Sequence, residues 1–218
     1  IVNSRNTGTV NANTFMNRIG GLAGSMNRGE VVDSHSVATI GPANSRGKNV
    51  GGLVGEAWGV KFWGSFSAGL VRGQENVGGL AGSMIPQNVR FDEYRGSVER
   101  SFSLASVEHS STTHNGPSIG GFVGAARGPA ISQSFSAGPV RVRTAQNVGG
   151  LVGNLWPYWP ANAQVVVEFC YGVGAPRAVW VDKSYSISAV TSSTLAQNVG
   201  GLVGRMYSTT QTNGVLCP

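Results

Sequence analysis

Two short motifs alternate six times along this chain, and that recurrence restricts the possible folds more than any other feature. A unit that returns at near-constant spacing is one supersecondary element, and it buries its apolar face against its neighbours. The first motif is Ser-x-Ser-x-small-x-Val. It spans residues 34–40 and 65–71, recurs over 101–107, 134–140 and 184–190, and has a looser copy over 4–10. The second is Val/Ile-Gly-Gly-Leu/Phe-Ala/Val-Gly, beginning at Ile19, Val50, Val77, Ile119, Val148 and Val199. The leading serines lie 30, 31, 36, 33 and 50 residues apart. The unit is therefore about 30 residues long. Two copies are lengthened by insertions at about residues 85–96 and 156–179.

Read as a strand, the first motif puts residues i, i+2 and i+4 on one face. That face carries Ser, Ser, a small residue and then Val or Ile, as in Ser65, Ser67, Gly69 and Val71. So strict a column of small side chains suits a narrow interior, where even one added methylene is felt. The other face carries His35, Phe66, Phe102, Phe135 and Tyr185. If the units stack, these rings form a ladder with ~4.8 Å steps. A second buried face, covered by the insertions or by a partner layer, is the competing reading. Three residues before each motif lies an apolar residue: Ile1, Val31, Phe62, Val98, Ile131 or Val181. In the second motif both alternating faces are apolar, so the pattern does not say which points inward. Asn49, Asn76, Asn147 and Asn198 precede four of its copies. They suit a side-chain ladder between units, or a turn.

Composition agrees with an all-β chain. Only 12% of residues are charged and 33 are Gly, and no apolar run keeps a 3.6-residue period over three turns. No run approaches the ~18 apolar residues of a membrane span, so no membrane insertion is expected. The net charge is +6, with 13 Arg among the 16 basic residues, which favours anionic partners. The chain opens in mid-motif, and the expectation is a mature product or a piece of a longer protein. Cys170 lies in the second insertion and Cys217 is the penultimate residue, so a disulfide clamp in an oxidising compartment is expected.

The second motif, with Gly51-Gly52-Leu53-Val54-Gly55 as a clean copy, resembles the GLUG-motif repeat family. The Ser-Phe-Ser-Ala-Gly-x-Val segment over 134–140 resembles that family's usual companion. The resemblance covers the chain apart from the two insertions. It implies large secreted or surface-exposed bacterial proteins, many adhesin-like or haemagglutinin-like, whose repeats serve as stalk rather than catalytic part. The chain departs from that pattern at Trp156-Pro157-Tyr158-Trp159-Pro160 and at its cysteine pair.

Chemistry-bearing constellations are sparse. His109 and His114 lie in a Ser/Thr-rich segment with no Cys, Asp or Glu pattern beside them. No Gly-x-Ser-x-Gly elbow accompanies the serines. Glu30, Glu56, Glu75, Glu99 and Asp182 fall in different columns. The Gly-rich motif lacks the Gly-Lys-Ser/Thr of a phosphate loop. No catalytic residue, metal site or cofactor is therefore expected. The binding candidates are aromatic: Trp156, Tyr158 and Trp159, stiffened by prolines, and the column Phe66, Phe102, Phe135 and Tyr185. A hydrophobic plug over the flank is the alternative role for the Trp-rich insertion.

The sequence thus predicts a single domain over 1–218, an all-β β-solenoid of about six rungs with two inserted loops. The expected role is a non-catalytic structural or adhesive module, secreted or on a bacterial cell surface. Its expected partner is an extracellular polysaccharide or protein surface, preferably anionic. Nucleic acid is not expected. A carbohydrate-binding or carbohydrate-processing β-helix is the first alternative. The second is a phage or viral fibre segment or an extracellular filament subunit, with a homo-oligomer as a further possibility.

Overall fold

The structure, a computed structural model, describes residues 1–11, 16–41, 46–87, 96–109, 117–156, 181–192 and 196–207. Its regular elements are all β-strands. They form three six-stranded sheets and one curled nine-stranded sheet. Pairing between strands is parallel throughout the described residues.

Each unit visits the four sheets in the same order. One unit enters an aromatic sheet at Phe66–Ser67 and a valine sheet at Leu70–Gly73. It then enters an asparagine sheet at Glu75–Gly78 and the long, nine-stranded sheet at Ala81–Ile85. The next unit lies beside it in register, so Phe66 faces Phe102, Val71 faces Val107 and Val77 faces Ile119. The columns of the repeat are the ladders of the sheets. Parallel strands require a long crossover between partners, and here the rest of the 30-residue unit supplies it.

The first motif differs from its expected form. It is not one strand but two, Phe66–Ser67 and Leu70–Gly73, belonging to different sheets. The chain turns a corner at the small residue between them. Gly69 sits there with φ +94°, and a side chain on it would meet the carbonyl oxygens of Val37 and Ala38 at 2.7 and 2.5 Å. The inward face survives the corner except at Gly69. Ser65, Ser67 and Val71 are buried, while Phe66 and Leu70 are half-buried. Gly69, expected inside, is exposed, whereas Ala38, Ala105 and Gly138 at the same position are buried.

Two apolar cores run the length of the stack. One lies between the valine and asparagine sheets and holds Val71, Val107 and Val140 with Val50, Val77, Ile119 and Val148. The other fills the curl of the long sheet, with Leu53, Leu80, Phe122 and Leu151 against Val31, Phe62, Val98 and Ile131. The second motif serves both, its Val in one core and its Leu or Phe in the other. Between the cores the walls nearly touch. A Cβ added to Gly52 would lie 2.7 Å from the Ser67 Cβ, and Gly21 meets Ser36 and Gly79 meets Ser103 in the same way. This waist explains both motifs together: Gly on one wall and Ser on the other leave no room for a methylene.

The corner before each leading serine is also built alike. Asn3, Asp33, Gly64, Arg100, Gln133 and Lys183 all have positive φ, between 45° and 57°. The serine that follows donates its hydroxyl to the carbonyl two residues earlier, as Ser65 does to Trp63 at 2.9 Å. Its oxygen also accepts the amide of the preceding unit's serine. These links run Ser4 to Ser34, Ser34 to Ser65, Ser65 to Ser101, Ser101 to Ser134 and Ser134 to Ser184, at 3.1 to 3.2 Å. Asparagines link units in the second motif, Asn76 donating to Asn49 and Asn198 to Asn147, each at 2.9 Å. Asn49 and Asn76 also take positive φ, so the ladder and the turn occur in the same residues.

The long sheet has two arms per unit, continuous in Val54–Trp63 and separated by two residues between Val123–Arg127 and Ala130–Ser132. The two lengthened copies open at this same point, between Ile85 and Ser97 and between Trp156 and Val181. Trp156, expected at the start of an insertion, is therefore the last residue of strand Val152–Trp156.

Candidate functional site

The aromatic column forms a ladder on the outer face of its sheet. His35, Phe66, Phe102, Phe135 and Tyr185 stack with centroid spacings of 4.7, 4.8, 5.1 and 5.1 Å and interplanar angles of 2° to 5°. The spacing follows from the parallel strands beneath, which hold each ring one strand from the next. Arg5 fills this column in the first unit, opposite His35. Stacking occupies the faces of the internal rings. The ladder therefore presents ring edges, whereas a sugar ring lies flat against an aromatic face.

A second cluster lies on the long sheet. Trp156 stacks on Tyr207 at 5.5 Å and 12°. The Arg127 guanidinium lies 5.6 Å from the Trp156 centroid, and that of Arg205 4.2 Å from Tyr207. Both distances lie within the ~6 Å reach of a cation–π contact. Trp156 pairs directly with Arg127 across the strands. The result is an aromatic pair with a guanidinium at each end. Arg127 is exposed, and Trp156, Tyr207 and Arg205 are half-buried. A smaller version occurs where Arg100 covers Trp63 at 4.8 Å and donates to Gln133 at 3.1 Å.

The two groups of expected binding residues are thus separated. Phe66, Phe102, Phe135 and Tyr185 share the ladder, while Trp156 belongs to another sheet. Tyr158, Trp159, Cys170 and Cys217 lie outside the described residues. Sequence reasoning passed over Trp58, Trp63, Tyr207 and the arginines that cover the rings. The signal was one position beyond the apolar column Met26, Ala57, Met84, Ala126, Leu155 and Met206. The following residues are Asn27, Trp58, Ile85, Arg127, Trp156 and Tyr207, a surface column rich in rings and cations.

The described carboxylates are dispersed, and four of them are individually matched to a cation. Glu56 lies 2.6 Å from Arg18, and it accepts from Asn49 at 2.8 Å. Glu75 meets Lys48 and Glu108 meets Arg72, both at 2.8 Å, and Glu30 is 3.9 Å from Lys61. Among the described residues no group of three His, Cys, Asp or Glu gathers where a metal ion could be held.

No family model matches the chain. A 66-residue stretch is 38% identical to a protein of Evansella cellulosilytica described as a Gly-rich membrane protein. The match covers 30% of this chain and 7% of that protein. No solved structure matches. Among the described residues no helix is long and apolar enough to cross a membrane.

Proposed function

We propose that this chain is a parallel β-solenoid of the GLUG-repeat kind and a non-catalytic adhesive module of a bacterial surface protein. In this reading it binds anionic polysaccharide through the cation–aromatic cluster at Arg127, Trp156, Tyr207 and Arg205. The observation that carries the binding is that cluster, in which guanidinium groups flank a stacked aromatic pair. Guanidinium forks suit carboxylate or sulfate groups, and the net charge of +6 favours such polymers at longer range. The structural half of the reading is supported by the use of the repeated polar residues. The serines, glycines and asparagines hold unit to unit, which leaves the surface columns and loops free to vary. The similarity to a Gly-rich bacterial protein described as a membrane protein is consistent with a place at the cell envelope.

The test is a glycan array carrying neutral, carboxylated and sulfated polysaccharides, probed with the whole chain. Binding is expected on the acidic polymers, weakened by salt and reduced at least about tenfold in the Arg127→Ala and Trp156→Ala variants. Release of new reducing ends from any bound polymer would overturn the non-catalytic reading. Acidic-polymer binding unchanged in both variants would overturn the assignment of the site.

A further inference from the structure

The column that carries Arg127, Trp156 and Tyr207 continues beyond the cluster. The register places Ile85 next to Arg127, Trp58 next to Ile85 and Asn27 next to Trp58. Consecutive units thus present Trp58, Ile85, Arg127, Trp156 and Tyr207 in one line on the outer face of the long sheet. Arg127 is exposed and the other four are half-buried, so the line lies at the surface. It runs along the stacking axis, and its steps of ~4.8 Å make it about 19 Å long. Trp58 stands three steps from Trp156, at the far end of the line.

Charge and shape both favour an acidic polymer along this line. The line itself holds no carboxylate. In the neighbouring column the one carboxylate, Glu56, is 5% exposed and lies 2.6 Å from Arg18. Past the bend at Gly59, Glu30 lies 3.9 Å from Lys61. Cations stand near both aromatic ends, Arg127 and Arg205 by Trp156 and Tyr207, and the exposed Arg28 and Lys61 by Trp58. The shape argument concerns direction. The two arms of the long sheet face each other across a core, Leu53 and Leu80 on one against Val31 and Phe62 on the other. Their outer surface is therefore convex across the strands. An extended polymer crossing the strands would touch it only briefly, whereas one lying along the axis meets a surface that repeats with it.

We infer that the polysaccharide site extends along this column from Tyr207 to Trp58, and that the polymer lies parallel to the stacking axis. Trp58 is then a second aromatic subsite, and the ligand is an extended acidic chain rather than a single sugar. The inference rests on the polysaccharide reading given above and adds to it a length, a direction and a residue. Linked subsites reward only a ligand long enough to reach both.

Titration calorimetry of the whole chain with disaccharides and octasaccharides of galacturonate and of heparin tests it. In at least one series the octasaccharide is expected to bind at least about tenfold more tightly than the disaccharide. Trp58→Ala should weaken the octasaccharide at least about fivefold. Trp63→Ala, on the second arm, should leave it unchanged. The indole N–H resonance of Trp58 in the wild-type chain gives a readout without substitution, and it should shift with the octasaccharide. That resonance alone decides if Trp58→Ala does not fold. Unchanged octasaccharide affinity in a folded Trp58→Ala variant, or an unmoved resonance, would overturn the extension, and a loss in Trp156→Ala would then leave the original site standing. A loss in Trp63→Ala instead would mean that the polymer crosses the strands, and would overturn the axial course. Binding of neither series would overturn the polysaccharide reading and the extension with it.

Discussion

Ser65 and Ser67 are two residues apart, equally buried and equally repeated, yet they do different work. The Ser65 hydroxyl accepts the Ser34 amide and donates to the Trp63 carbonyl. The Ser67 hydroxyl is buried without a hydrogen-bond partner, and its role is to be small against Gly52. Ser65→Ala orphans a buried amide and should cost about 1–3 kcal/mol. Ser67→Ala should fall within about 1 kcal/mol of wild type, since it removes an unpaired polar atom and adds no bulk. Urea melts of the two variants check the contrast, and equal losses would refute it. His109 offers a second residue-scale test. It lies 3% exposed in the valine sheet, at the position of Gly73 and Val142 in the adjoining strands. Burial lowers its pKa from 6.5 to about 4, only partly offset by the backbone of Gln74. Between those values the unfolded chain binds a proton that the folded chain refuses. Its contribution is therefore complete above pH 6.5, declines as pH falls, and is fully lost near pH 4. The total is about 3 kcal/mol. His109→Val should flatten the stability profile across that window, and an unchanged slope would count against this account.

At the scale of the element, the aromatic ladder couples strands that are otherwise only two residues long. Phe102 touches Phe66 on one side and Phe135 on the other, at 4.8 and 5.1 Å. A stacked pair contributes about 0.5–1.5 kcal/mol beyond its buried area. A double-mutant cycle on Phe66 and Phe102 should return a coupling of that size, whereas Phe66 with Phe135, one ring removed, should be close to additive. Comparable coupling in both cycles would mean that the rings act through the backbone. The ladder was legible in the sequence because, in parallel stacking, repeat alignment and pairing register are the same thing. The corner that divides the first motif into two strands was not. Side-chain alternation survives the bend at Gly69, so the pattern carries no mark of it. The two-core interior was hidden for a related reason. Val50 and Leu53 both read as apolar, and only the path around the Gly51-Gly52 waist sends them to different cores. The cation–aromatic cluster was missed because its members come from three units. Arg127, Trp156 and Tyr207 share a column that carries no constant residue type, and Arg205 comes from the neighbouring column of Asn154.

For the whole molecule, stability is a sum of unit and interface terms, since each unit meets only its neighbours. Deleting residues 35–65 joins Ser34 to Phe66 and restores the Ser-x-Ser motif. That variant should retain a β-sheet circular dichroism spectrum and a cooperative melt, at a modestly lower temperature. Deleting residues 35–50, about half a unit, should abolish the folded signal because every later column shifts to the wrong sheet. A melt that survives the half-unit deletion would show that column identity is not what holds the stack.

Both lengthened copies open between the arms of the long sheet, after Ile85 and after Trp156, at the point where Gly59 and Gly128-Pro129 make short passages. Insertions at that corner lie along a single seam, one strand spacing apart per unit. The seam works as a ruler: any peptide spliced in there would be displayed in steps of about 4.8 Å. Two such grafts could thus be set at a chosen separation by counting units, without disturbing the interior that holds them apart.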